Sequence, residues 1–170
     1  MDRASQRVSA LRNRSVRQSS ALRSGFTLVE IMVVVMIVGV LAALAIPAFS
    51  RARRNALATR TAQDFRTFEA AFEQYAMQNG HWPTDVNRGL VPPGMLPYLR
   101  GTAYTQVTSV GGFWDWDLNQ FGFKAGISIV ASDVDEAIVQ RIDEILDDGN
   151  LATGRFRRTG GERFTLILEE

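Results

Sequence analysis

Cysteine is absent from the 170 residues. Disulfides, cysteine-ligated zinc and thiol nucleophiles are excluded together. Histidine occurs once, at His81, which leaves no second imidazole for a zinc site and argues against a catalytic triad. Lysine also occurs once, at Lys124, so arginine carries nearly all the positive charge. The chain has no glycine-rich phosphate loop, no spaced EF-hand ligands and no nucleophile–base pair. No catalytic residue is therefore expected, and no enzymatic function.

What the chain does have is a long apolar run. Residues 31–49 carry no charge and consist of Ile, Met, Val, Leu, Ala and Phe with one Gly and one Pro. A helix crossing the hydrocarbon core needs roughly 20 such residues at 1.5 Å each, so the run is just long enough to span. One charge, Glu30, stands at its upstream edge, and six arginines precede it: Arg3, Arg7, Arg12, Arg14, Arg17 and Arg23. A carboxylate at the mouth of an apolar segment is costly and is usually paired or functional. Arg51, Arg53, Arg54 and Arg60 follow the run closely, which weakens the positive-inside bias. The upstream arginines still favour a cytoplasmic N-terminus, with the downstream ones at lipid headgroups on the outer face.

The junction Gly25, Phe26, Thr27, Leu28, Val29, Glu30, with a basic segment before it and an apolar run after it, resembles the type III signal peptide of type IV pilins and type II secretion pseudopilins. The resemblance implies cleavage between Gly25 and Phe26 by prepilin peptidase and N-methylation of Phe26. It implies that Glu30 neutralises the Phe26 amine of a neighbouring subunit, and that Pro47 is the family's helix-kinking proline. It divides the chain into a cleaved leader (1–25), a transmembrane and filament-core helix (26–49), the amphipathic half of the same helix (50–80) and a globular periplasmic head (81–170). Six of the 19 basic residues and one of the 18 acidic residues fall in the leader, so the remainder is net acidic and nucleic acid is not expected as a partner. The implied partners are the peptidase, copies of the chain, other pilin-like subunits and an inner-membrane assembly platform. The implied location is the bacterial inner membrane, single-pass, and then a periplasm-spanning filament. Many pilins staple the C-terminal region with a disulfide, and this chain departs from that pattern.

The expected fold is α+β: one long N-terminal helix, a small antiparallel sheet and one short extra helix. In residues 50–79, Ala58, Ala62, Phe65, Phe68, Phe72 and Tyr75 recur at helical spacing and give one apolar face. Asn79-Gly80 supplies a stop. Residues 26–79 as one helix would extend about 80 Å, with a kink or melted turn at Pro47. Residues 81–99 hold four prolines and read as loop, and the N-G-x-aromatic-P-T run at 79–84 resembles the helix-to-loop junction of major pseudopilins. Strands are expected at 103–110, 112–116 and 121–131, a helix at 133–146 capped by Ser132 or Asp133, and a terminal hairpin of 155–158 with 163–168.

Two further stretches raise binding questions. Trp114 and Trp116 share one strand face, as a surface for a ligand such as a glycan or as cover for the long helix. Asp147, Asp148 and Asn150 offer hard oxygens, and some major pseudopilins bind calcium in a C-terminal loop; a solvated helix end is the plainer alternative. The expected function is a structural pseudopilin of a type II secretion system or pilus-like filament. The alternative is a membrane-tethered or filament-tip binding module: an adhesin, or a glycan- or DNA-binding minor pilin.

Overall fold

Helix α1 starts where the chain first offers a cap and an unbroken run of helix-compatible side chains. The structure is a computed structural model that describes residues 25–170; the arginine-rich segment of the expected leader, 1–24, lies outside the described residues. α1 covers Leu28–Asn79 and Pro47 stands inside it. The melted turn expected at Pro47 is not seen. Proline removes one N–H, leaving the Ala43 carbonyl without its intrahelical donor, and the flanking helical bonds hold on either side. α1 ends as the Asn79-Gly80 signal predicts, with Gly80 at φ +75° and its N–H bonded to the Ala76 carbonyl at 2.8 Å.

The described residues fall into two compact units that divide within α1, one ending at Leu41 and the other running Ala42–Glu170. In the first unit the apolar side chains are exposed on all sides, including Leu28, Ile31, Val35 and Val38. A helix apolar all round has no water-facing side and must be covered by lipid or protein.

The second unit holds the head. The buried face of α1 here is Ala58, Thr61, Ala62, Phe65, Phe68, Ala71 and Phe72, the stripe the spacing predicts plus its neighbours. Against it packs a four-stranded antiparallel sheet in the order β1-β2-β4-β3: β1 Phe113–Gln120, β2 Phe123–Val130, β3 Phe156–Gly160 and β4 Arg163–Glu169. β1 and β2 close tightly, with Gln120 paired to Phe123 and both Phe121 and Gly122 at positive φ. Positive φ at both central residues is the hairpin geometry that matches strand twist. Phe65 and Phe68 meet Trp114 edge-on at 4.9 and 4.7 Å, and Phe72 stacks on Trp116 at 4.1 Å. Aromatic pairs of this kind add to the burial of their area, by about 0.5–1.5 kcal/mol each.

α2 covers Glu136–Leu146 and buries Ile138, Val139, Ile142 and Asp143. Its cap is Asp135, two to three residues later than expected, and the Asp135 carboxylate accepts from the Ala137 N–H at 3.0 Å. Residues 103–110 form no strand. Their β-branched content suggested one, but the backbone is satisfied by local turns: Gln106 donates to Ala103, and Gly111 to Thr108. That winding places Tyr104 against Phe68 in the core.

Candidate functional site

The N-terminal junction is built by reciprocal hydrogen bonds. Residues 25–27 are non-helical. The Glu30 carboxylate accepts from the Thr27 N–H at 2.7 Å and from the Thr27 hydroxyl at 2.8 Å, while the Glu30 N–H donates back to that hydroxyl at 3.2 Å. This is a capping box, Thr-x-x-Glu, which satisfies orphan donors at a helix start. Thr27 belongs to the junction motif, and its capping role, not assigned from the motif, follows from the Thr-x-x-Glu spacing before an apolar run. Glu30 thus anchors the start of α1 within its own chain. At Gly25 an added Cβ would meet nothing within 4 Å, so packing among the described residues does not demand glycine there. Phe26 is largely exposed.

The acidic turn brings a further carboxylate, Asp143, beside the expected Asp147 and Asp148. Oxygens of Asp143, Asp147 and Asp148 lie within 4.8 Å of one another. The Asn150 side-chain carbonyl accepts from the Ala152 N–H at 3.2 Å. Asp148 accepts from the Asn150 N–H at 2.8 Å and the Thr153 hydroxyl at 3.0 Å, and Asp147 accepts from the backbone N–H groups of Arg155 and Phe156. These side chains organise the turn that leads into β3. Asp143 is the exception. It is fully buried and no group meets either carboxylate oxygen in full hydrogen-bond geometry, the nearby Gly149 N–H only partly offsetting the rise in its pKa. Burial, then the charges of Asp148 and Asp147, push its pKa up to about 6.

The tryptophan face offers no binding surface. Trp114 is 1% exposed and Trp116 0%. Both rings cover α1, and the Trp116 indole N–H donates to the Pro83 carbonyl at 3.0 Å. Of the two expected roles, cover for the long helix is the one found. The opposite face of β1 carries a buried polar network instead. Arg163 donates to both oxygens of Asp117 at 2.7 Å and to Asp115 at 2.9 Å, beneath the Phe121 ring at 4.5 Å. Ser128 and Thr165 complete it. Burial raises the pKa of Asp115 to about 6, with the hydrogen bond from Arg163 acting against the shift. Asp117 is raised in the same way, opposed by Ser128 and Arg163.

A family model described as the prokaryotic N-terminal methylation motif matches residues 21–46. The chain carries that methylation motif. The segment spans Gly25, Phe26, Thr27 and Glu30, so the capping box lies inside the motif, and it stops one residue before Pro47. Type II secretion system core protein G of Escherichia coli (strain K12) is 42% identical over 66 residues, 39% of this chain and 45% of the relative. The core protein G of Pseudomonas aeruginosa is 42% identical over 62 residues, 36% and 44% of the two chains. Type IV major pilin protein PilE1 of Neisseria gonorrhoeae is 31% identical over 93 residues, 55% and 42%. The chain thus spans less than half the length of these curated relatives. No solved structure gives a significant match.

With the methylation motif at its head, α1 joins a capped entry to a helix long and apolar enough, by length and composition, to cross a membrane. That combination fits anchoring in a membrane through the N-terminal helix. The fold beyond it, one long helix with a four-stranded antiparallel sheet and a second short helix, is a pilin-like α+β arrangement.

Proposed function

We propose that the chain is a pilin-like structural subunit, most specifically a type II secretion pseudopilin. Prepilin peptidase cuts between Gly25 and Phe26 and methylates the new amine. The subunit waits in the inner membrane, N-terminus cytoplasmic and head periplasmic. It then packs through α1 against copies of itself and other pilin-like subunits on an inner-membrane platform. The observation that carries this reading is the apolar exterior of α1 headed by a single capped carboxylate inside a methylation motif. The absence of cysteine and the run at 79–84 favour a secretion filament over an extracellular fibre. Among the described residues the binding-module alternative loses its proposed Trp114/Trp116 surface to the core.

The test is the intact mass of the protein from a membrane fraction of cells that contain the peptidase. The expected species begins at N-methylated Phe26, and Gly25→Ala leaves it uncut. A chain retaining residues 1–25 in wild type would refute processing.

A cation at the acidic turn is a separate part of the proposal. The buried, unpartnered Asp143 fits a hard-cation site, with Asp147 and Asp148 beside it. Calcium there would offset the mutual repulsion of the three carboxylates. Added calcium should raise the unfolding temperature in wild type and not in Asp143→Asn; equal behaviour of the two would reject the site.

A further inference from the structure

Arginines from two helices converge on one cavity just beyond the apolar run. The cavity is about 360 Å³; α1 contributes Arg51, Arg54 and Asn55, and α2 contributes Gln140, Arg141 and Glu144. Three guanidinium groups thus meet two carboxylates, Glu144 in the lining and Asp135 beside Arg54. Arg54 reaches Asp135 at 3.5 Å and Arg141 reaches Glu144 at 2.6 Å, both pairs nearly half exposed. Exposed pairs of this kind contribute little and exchange readily for a better anion. Among the described residues Arg51 forms no ion pair.

The depth of the cavity singles out its ligand. The apolar run ends at Phe49, and Arg51 to Asn55 lie two to six residues further on, about 3–9 Å along the helix axis. The headgroup layer on one side of a bilayer is roughly 5–7 Å thick. Residues 42–49, the α1 arginines and α2 all belong to one compact unit, so this spacing is internal to a single body. A guanidinium fork matches phosphate oxygens two at a time, and the amides of Asn55 and Gln140 can donate beside it. We propose that this cavity binds the phosphodiester of an anionic phospholipid in the leaflet through which α1 leaves the membrane. The proposal rests on the reading that α1 spans a bilayer. It gives the head a defined seat on the membrane surface, because α2 contributes to the site and α2 belongs to the head.

The test uses the full chain reconstituted in vesicles of equimolar phosphatidylcholine and phosphatidylglycerol, then extracted in mild detergent. Co-purifying lipid is counted by phosphorus NMR, and insertion is read separately by vesicle flotation. Phosphatidylglycerol should be enriched over phosphatidylcholine. Arg141→Gln, on α2 and off the membrane helix, should cut the enrichment by about fivefold, the effect of one arginine near a charged surface. Arg51→Gln should do the same, whereas Arg53→Gln, beside the headgroups but outside the cavity lining, should cost measurably less. Equal losses in Arg53→Gln and Arg141→Gln, or no enrichment in a chain that floats, would overturn the site while sparing the anchor. A wild-type chain that fails to float would overturn the anchor and the site with it. Displacement of the lipid by inorganic phosphate would replace the lipid assignment with a free-anion site.

Discussion

Replacing Arg163 with methionine should expose how the head tolerates two acids inside its sheet. Arg163 is the cation facing Asp115 and Asp117, with three contacts of 2.7–2.9 Å. Methionine keeps much of the stem volume and removes the charge. Taking one partner from a buried pair costs about 3–5 kcal/mol, because the remaining charge keeps its desolvation penalty. With a urea m-value of about 1–3 kcal/mol/M, the midpoint should fall by roughly 2 M near pH 7.5. The loss should shrink in acid. Asp115 has a folded pKa of about 6 against an ordinary value of 3.8, so the folded state binds more protons than the unfolded chain between those values. Stability is therefore gained as pH falls through 6 and lost as it rises. Arg163 holds both carboxyl pKa values down, so the variant should recover more than wild type on moving from pH 7.5 to 5. Near-UV circular dichroism of the detergent-solubilised chain is the assay, because Trp82, Trp114 and Trp116 all lie in the head. A loss under about 1 kcal/mol, or one equal at both pH values, would refute the account.

Phe68→Ala should cost about 3–5 kcal/mol in the same assay, because a fully buried ring packed on Trp114 and Tyr104 is deleted. Gly112→Ala should destabilise the head measurably in thermal unfolding: φ is +80°, and an added Cβ would lie 2.2 Å from the Val130 carbonyl oxygen. Thr27→Val and Glu30→Gln separate two roles of the junction. Thr27→Val removes a cap worth about 1 kcal/mol and should still assemble into filaments, whereas Glu30→Gln should be processed yet fail to assemble; wild-type filament abundance from Glu30→Gln would defeat the pairing of carboxylate and amine.

The parts of the fold written in local periodicity were legible. The apolar run, the Phe65-Phe68-Phe72 stripe and the Asn79-Gly80 stop each follow from helix geometry, and each stands where it was expected. The terminal hairpin around Gly160-Gly161 was legible from its turn for the same reason. What failed depended on tertiary context. Residues 103–110 have strand-like composition, but their backbone closes on itself in turns and no strand forms there. Alternation puts Asp115 and Asp117 on the strand face opposite Trp114 and Trp116, but it cannot reveal Arg163, 46 to 48 residues away, folding over that face. Asp143 was passed over within the apolar stripe of α2, since nothing in its neighbours predicts a carboxylate at full burial.

The Thr27–Glu30 box has a consequence for the order of events in biogenesis. The peptide bond between Gly25 and Phe26 sits in non-helical backbone, and the first helical residue is Leu28. α1 therefore does not have to unwind for the proposed cut at this bond. The bonds that fix the start of α1 lie wholly on the side that the proposed cut would retain. Losing the leader would therefore change the charge at the end of the helix and leave its first turn as it was. If the proposed cut is made there, it exchanges the arginine-rich leader for a single cationic amine beside a first turn that keeps its cap.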